Sequence, residues 1–176
     1  MATTVQRMSV EEFLALPAHE TEGCELHYGE IVYMAPPKHL HWLTREALLR
    51  ALRPVAEPLG LIGAEMGFQC GDDDIREADI GFVTHDRARG ISVDGYLAGA
   101  PDMVVEILSA SNSRAEMLER EMRCLMFGCR EFWTVDPAKQ TVRAATSKAI
   151  LTYGTGDDLV SSLFPGWSVP VAQLFS

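Results

Sequence analysis

Apolar and polar positions alternate in two different rhythms along this chain. The first signal is Ser9-Val10-Glu11-Glu12, a capping box with Ser9 as N-cap and Glu12 reaching back, which opens a short helix that should stop near Pro17. Cys24 to His27 and Glu30 to Met34 then flank Tyr28-Gly29, the pattern of a β-hairpin closed by a two-residue turn, and Pro36-Pro37 ends its second strand. From about Leu40 to Pro54 the rhythm becomes helical: Leu48, Leu49 and Leu52, with Trp42 and Ala47 nearby, form an apolar face, and Arg45, Glu46 and Arg50 fall mostly elsewhere.

Period-two patterning returns at Leu61 to Gln69 and Ile75 to Val83, read as strands joined through Gly71-Asp72-Asp73-Asp74. Three consecutive acids at a strand connection read as a solvated turn, because successive strand side chains diverge and cannot gather on one ion. Asp102 to Ser109 is a buried-strand run interrupted by one acid. Ser111 or Ser113 can cap a helix running to about Phe127, which Gly128 terminates. Glu131 to Val135 is a further apolar strand, closed by Asp136-Pro137, and the remainder reads as short antiparallel strands with turns at Gly154-Thr155-Gly156 and Pro165-Gly166. No internal repeat or long Pro/Gly/Ser linker divides the chain. The expectation is one domain over residues 1–176, of α+β (α/β) class, with a central mixed β-sheet flanked by helices, an N-terminal hairpin and a β-rich tail.

Composition narrows the function. The longest apolar runs, such as Met103 to Val105, are far too short for a bilayer, and the amino terminus lacks the apolar core of a secretory signal, so a cytoplasmic protein is expected. Cys24, Cys70, Cys124 and Cys129 form no C-x-x-C pair and are expected as reduced core thiols rather than a zinc site. The net charge of −10 argues against coating nucleic acid by general attraction. It leaves room for a phosphodiesterase whose bound cations bring positive charge locally.

The informative chemistry is an acid inside a hydrophobic strand. Glu106, within Val104-Val105-Glu106-Ile107-Leu108, sits where an apolar residue would pack, and a buried carboxylate is costly unless paired or bound to metal. Asp79, in Ala78-Asp79-Ile80-Gly81-Phe82-Val83, is a second strand acid. On neighbouring strands the two could converge on one hard cation. The other reading of both is a salt bridge at a strand end.

Several segments, in this order, resemble the Uma2 family (DUF820) of the PD-(D/E)XK superfamily: Glu25-Leu26-His27-Tyr28-Gly29-Glu30-Ile31-Val32, His41 on the next helix, and Arg76-Glu77-Ala78-Asp79-Ile80. The resemblance continues through Pro101 to Ser109, Gly128 to Pro137, and Phe164-Pro165-Gly166-Trp167 with Leu174-Phe175. It implies a restriction-endonuclease-like core, Asp79 and Glu106 as ligands of a Mg2+ or Mn2+ ion with the main-chain carbonyl of Ile107, and DNA as substrate. Glu25 and His41 match further polar positions of the pattern, where either would orient a metal-bound water; His41 as a helix-start residue binding nothing, and Glu25 paired with a nearby base, are the other readings. The superfamily lysine two residues after the second acid is Leu108 here. In Uma2-like chains a lysine eight residues before the helix-ending glycine takes its place, and counting back from Gly128 reaches Arg120. Arginine keeps the positive charge for a transition state but cannot act as a base; its other reading is a solvated helix residue paired with Glu116 or Glu119. Ala78 replaces the family proline, and Cys124 a usual aromatic. The leading expectation is a metal-dependent DNA endonuclease acting as a homodimer. The rivals are a non-catalytic or regulatory member of the fold and an interaction module with an acidic face.

Overall fold

A computed structural model describes residues 7–92, 94–109 and 112–176. In chain order the elements are α1 (Val10–Leu14), α2 (Ala18–Thr21), β1 (Cys24–His27), β2 (Glu30–Tyr33), α3 (His39–Ala56), β3 (Gly60–Gln69) and β4 (Ile75–Thr84). They continue with α4 (His85–Ala88), β5 (Leu97–Ala98), β6 (Met103–Ile107), α5 (Arg114–Met126), β7 (Glu131–Asp136), β8 (Thr141–Ala145), β9 (Ile150–Tyr153), β10 (Asp158–Val160), β11 (Ser168–Pro170) and a closing 3-10 turn, Val171–Leu174.

Local chemistry places the first elements as expected. Ser9 and Glu12 form the reciprocal capping box of α1. Tyr28 and Gly29 both take positive φ, 50° and 80°, as a tight hairpin turn requires. A side chain at Gly29 would also strike Met8 and Arg7, whose chain passes within 2.6 Å of where its Cβ would be. Ser113 caps α5, accepting from Glu116 N at 3.2 Å while Glu116 returns a bond to Ser113 N; Ser111, the other candidate, lies outside the described residues. Ser113→Ala is expected to cost about 1 kcal/mol, to be read as a lowered midpoint of urea denaturation.

Nine strands make one mixed sheet in the order β2-β1-β4-β6-β7-β8-β9, with β3 pairing β4 and β5. The β6–α5–β7 segment is its parallel crossover. β10 and β11 pair apart as a small ribbon, so only half of the expected β-rich tail extends the sheet. Leu48, Leu49, Leu52 and Ala56 of α3 pack with Ile80, Met103, Val105 and Trp133 on one face; Val104, Cys124, Cys129 and Phe132 pack on the other, towards α5. Cys70, Cys124 and Cys129 are buried free thiols, and Cys24 is half-buried and free.

Three expectations need correction. Trp42, placed with the apolar face of α3, is 45% exposed, and Arg45, placed off that face, is buried. Asp74, read as part of a solvated turn, is fully buried: its two oxygens receive Arg76 Nε and Nη2 at 2.8 and 2.9 Å. A run of three acids carries no signal that one member will turn inward onto an arginine two residues ahead.

One feature of the topology positions the site. Along one edge, β4 meets β1 at Ile75, through Leu26, and meets β6 only from Ile80, through Val105. Between those contacts the backbone at Glu77 bonds to side chains instead: its N–H to Glu25 Oε1 at 2.7 Å, its carbonyl to Arg120 Nη2.

Candidate active site

The two acids come from adjoining antiparallel strands. Ile80 pairs with Val105, so Asp79 and Glu106 stand one residue further along the same register. Asp79 Oδ2 accepts the Ile107 N–H at 2.7 Å and bonds His41 Nε2 at 3.0 Å, drawing α3, β4 and β6 together. Both acids line a cavity of about 210 Å³, with Ile107, His41, Glu25, Glu77 and Arg120 in the same wall. A larger hollow of about 480 Å³ lies beyond Asn112, but its Arg143 and Lys139 are already paired with Glu121 and Asp136.

Arg120 is the hub of the buried part. It is 5% exposed, not the solvated helix residue of the alternative reading, and it pairs with neither Glu116 nor Glu119. Its Nε donates to Glu106 Oε1 at 2.8 Å, its Nη1 and Nη2 to Glu25 at 2.9 and 3.0 Å, and Nη2 also to the Glu77 carbonyl. Burial by itself would lower its pKa, but the Glu106 and Glu25 carboxylates outweigh that and hold it well above the ordinary arginine value.

The partner carboxylates shift in opposite directions. Burial works to raise Glu25, yet hydrogen bonds from His27, at 2.5 Å, and from Arg120 and Glu77 N–H win and hold it at about 2. Burial dominates at Glu106, assisted by the Asp79 and Glu25 charges, and Arg120 only partly offsets them, so its pKa is pushed up to about 8. Glu77, exposed but partly desolvated beside Glu65, Glu25 and Asp79, is raised by that desolvation and by their charges.

Glu25 therefore has a pH consequence. A carboxyl held at about 2 when folded against an ordinary 4.5 contributes stability above about pH 4.5, lost as pH falls towards 2. Glu25→Gln is expected to flatten that acid limb, by roughly 3 kcal/mol across the window, in chemical denaturation repeated from pH 5 to pH 2.

The structure thus brings Asp79, Glu106, Ile107, Arg120, His41 and Glu25 to one place. Sequence reading missed Glu77, two residues before Asp79 and so on the same strand face, and His27, which stands in the same relation to Glu25. It also missed Arg45 and Glu65, both in the cavity wall; nothing in the local pattern marks either.

Two strand acids where a mixed sheet divides, one of them, Glu106, held by the buried Arg120 of the crossover helix and the other, Asp79, by His41 and the Ile107 N–H, belong to an α+β protein. The same fold is found in a crystal structure from Anabaena variabilis described as a "putative nuclease belonging to DUF820", at 25% identity and a TM-score of 0.81, over 96% of this chain and 97% of that one. Residues 10–172 match the Uma2 family, described as "putative restriction endonuclease". The chain belongs to the Uma2 family. Among curated proteins no relative is detected. No helix among the described residues is long and apolar enough to cross a membrane.

Proposed function

We propose that the protein is a nuclease that hydrolyses DNA phosphodiester bonds with a divalent cation, Mg2+ or Mn2+, held by Asp79, Glu106 and the main-chain carbonyl of Ile107. The observation carrying this reading is the placement of Asp79 and Glu106, from adjoining strands, on one cavity with Ile107 beside them. The donor set fits the group. It is all oxygen, as hard cations prefer, and Glu106 is a carboxyl that burial and two neighbouring carboxylates leave under-compensated despite Arg120. Among the described residues no three His, Cys, Asp or Glu side chains gather as a complete metal cluster, so an ion here would rely on two carboxylates completed by main-chain oxygen and water. A bound ion would polarise a phosphoryl oxygen and lower the pKa of a coordinated water.

The chain's own residues prepare that chemistry. The Ile107 N–H and His41 aim the Asp79 carboxylate. Arg120 anchors Glu106 through Oε1. With four contacts already made to Glu106, Glu25 and Glu77, it lends its charge to the site through Glu106 rather than by gripping a phosphate. Glu25 accepts at both oxygens from Arg120, His27 and Glu77 N–H, which makes it the residue that positions Arg120. His41 Nε2 meets Asp79 Oδ2, and its buried Nδ1 has no partner among the described residues, so the ring's part is to orient the Asp79 carboxylate. A cytoplasmic homodimer belongs to the same proposal, since cutting both strands of a duplex suits two sites related by a two-fold axis.

One observation favours a second reading, a non-catalytic member of the fold: Glu106 has a buried cation, Arg120, as its partner at Oε1, where the family pattern has a lysine. Calorimetric titration with Mn2+ and a plasmid-nicking assay decide between them. Saturable binding with metal-dependent nicking supports the nuclease; no heat of binding at millimolar Mn2+ and no nicking support the scaffold.

A further inference from the structure

We infer that Arg45 is the phosphate-gripping cation of this site and that Glu65 holds it in reserve. The inference rests on the phosphodiesterase reading above and names the residue that would take the substrate's charged group. Arg45 lies on α3 one turn beyond His41 and lines the cavity that holds Asp79 and Glu106. It is 9% exposed, yet its contacts are sparse: Nη1 donates to Glu65 Oε1 at 2.9 Å, and the buried Nε has no partner among the described residues.

Arg120 sets the contrast. Its guanidinium is committed to two carboxylates and a carbonyl, whereas Arg45 keeps most of its N–H fork undirected on the same cavity. A buried guanidinium with an unmet donor is costly unless something fills it. A planar fork of donors is the group that matches two phosphate oxygens at once.

Glu65 is built as a releasable partner. Its side chain is 58% exposed, so its pairing with Arg45 is reached by solvent and weak. Its backbone sits at φ 54°, in the left-handed region, where β3 passes Asp79. The ladder pairs Ala64 with Ile80 and Met66 with Ala78 but skips Glu65 and Asp79 between them. A non-glycine residue in that conformation persists only where its surroundings require it, and such sites cluster at functional centres. Here the twist accompanies a carboxylate set against Arg45 at the cavity. An incoming phosphate would replace Glu65 on the guanidinium, leaving the carboxylate to solvent.

The test uses inorganic phosphate and a defined DNA duplex on the full-length protein. In wild type, the arginine Nε–H resonance of Arg45 is expected to shift on titration with phosphate. Arg45→Lys should weaken phosphate binding and raise KM for Mn2+-dependent cleavage about tenfold, with kcat little changed. Glu65→Ala should do the opposite, tightening phosphate and lowering KM, and this second variant keeps the test alive if Arg45→Lys folds poorly. Unchanged phosphate affinity in both variants, or a Glu65→Ala protein that binds phosphate less well, overturns the inference. Metal-dependent cleavage with an unmoved KM would do the same while leaving the nuclease reading intact. If wild type cleaves nothing, the nuclease reading fails, and the phosphate titration still decides Arg45 by itself.

Discussion

Asp79→Asn is expected to abolish metal-dependent cleavage while leaving the fold standing. The substitution removes a full negative charge but keeps an oxygen that can accept the Ile107 N–H, the contact that ties β4 to β6 beyond their last ladder pair. His41 can meet an amide as readily as a carboxylate by changing tautomer. Loss of one of the two proposed charged ligands should reduce cleavage on the order of 10³-fold, equivalent to about 4 kcal/mol of transition-state stabilisation. Mn2+ affinity should fall with it, and the thermal midpoint in metal-free buffer should stay within a few degrees of wild type. Cleavage that persists at the wild-type rate would show that the activity does not come from this site; a collapsed thermal midpoint would show that Asp79 is chiefly structural.

The second large effect concerns stability. Arg120→Met is expected to cost about 3–5 kcal/mol, because the guanidinium is the common partner of Glu25 and Glu106, both almost wholly buried. Its removal leaves the Glu25 carboxylate, the Glu106 carboxyl and the Glu77 carbonyl without their donor. Glu106, already pushed up to about 8, would stay protonated over a wider pH range, whereas Glu25 would lose one of the main forces holding it near 2. Replacing all three residues together by neutral groups of similar size should recover much of the loss, since the penalty comes from the stranded partners rather than from the pair's net worth. Urea denaturation of wild type, Arg120→Met and the Glu25→Gln/Glu106→Gln/Arg120→Met triple variant measures this. A single-variant loss below about 1 kcal/mol would contradict the picture of Arg120 as the hub.

The legible parts of the site share a physical reason. Glu106 stood out because an acid in a run of β-branched residues breaks the expectation of burial, and the structure finds it buried and hydrogen-bonded by Arg120. Asp79 was visible as an acid in a strand, though only the family resemblance joined the two. Arg120 was reached by that resemblance too, counting from Gly128; its surroundings, Glu119 and Glu121 on either side, look like any solvated helix turn. Arg45 and Asp74 were misplaced for the converse reason. A buried charge whose partner is distant in sequence, as with Arg45 and Glu65, cannot be told locally from an exposed one, and for Asp74 the nearby Arg76 offers no sign of facing inward.

By itself, the sequence determined the local events: the Ser9–Glu12 capping box, a serine cap before the later helix, the Tyr28-Gly29 turn, the apolar strands and the helix that Gly128 ends. These depend on residues within one or two turns of each other, so composition and spacing suffice. The tertiary structure alone decided which charges lie together. β1 and β6 separate along β4, and the gap so opened is filled by Glu25 from the hairpin and Arg120 from the crossover helix, 95 residues apart. Long-range electrostatics of that kind follow from topology, which no short window of sequence contains.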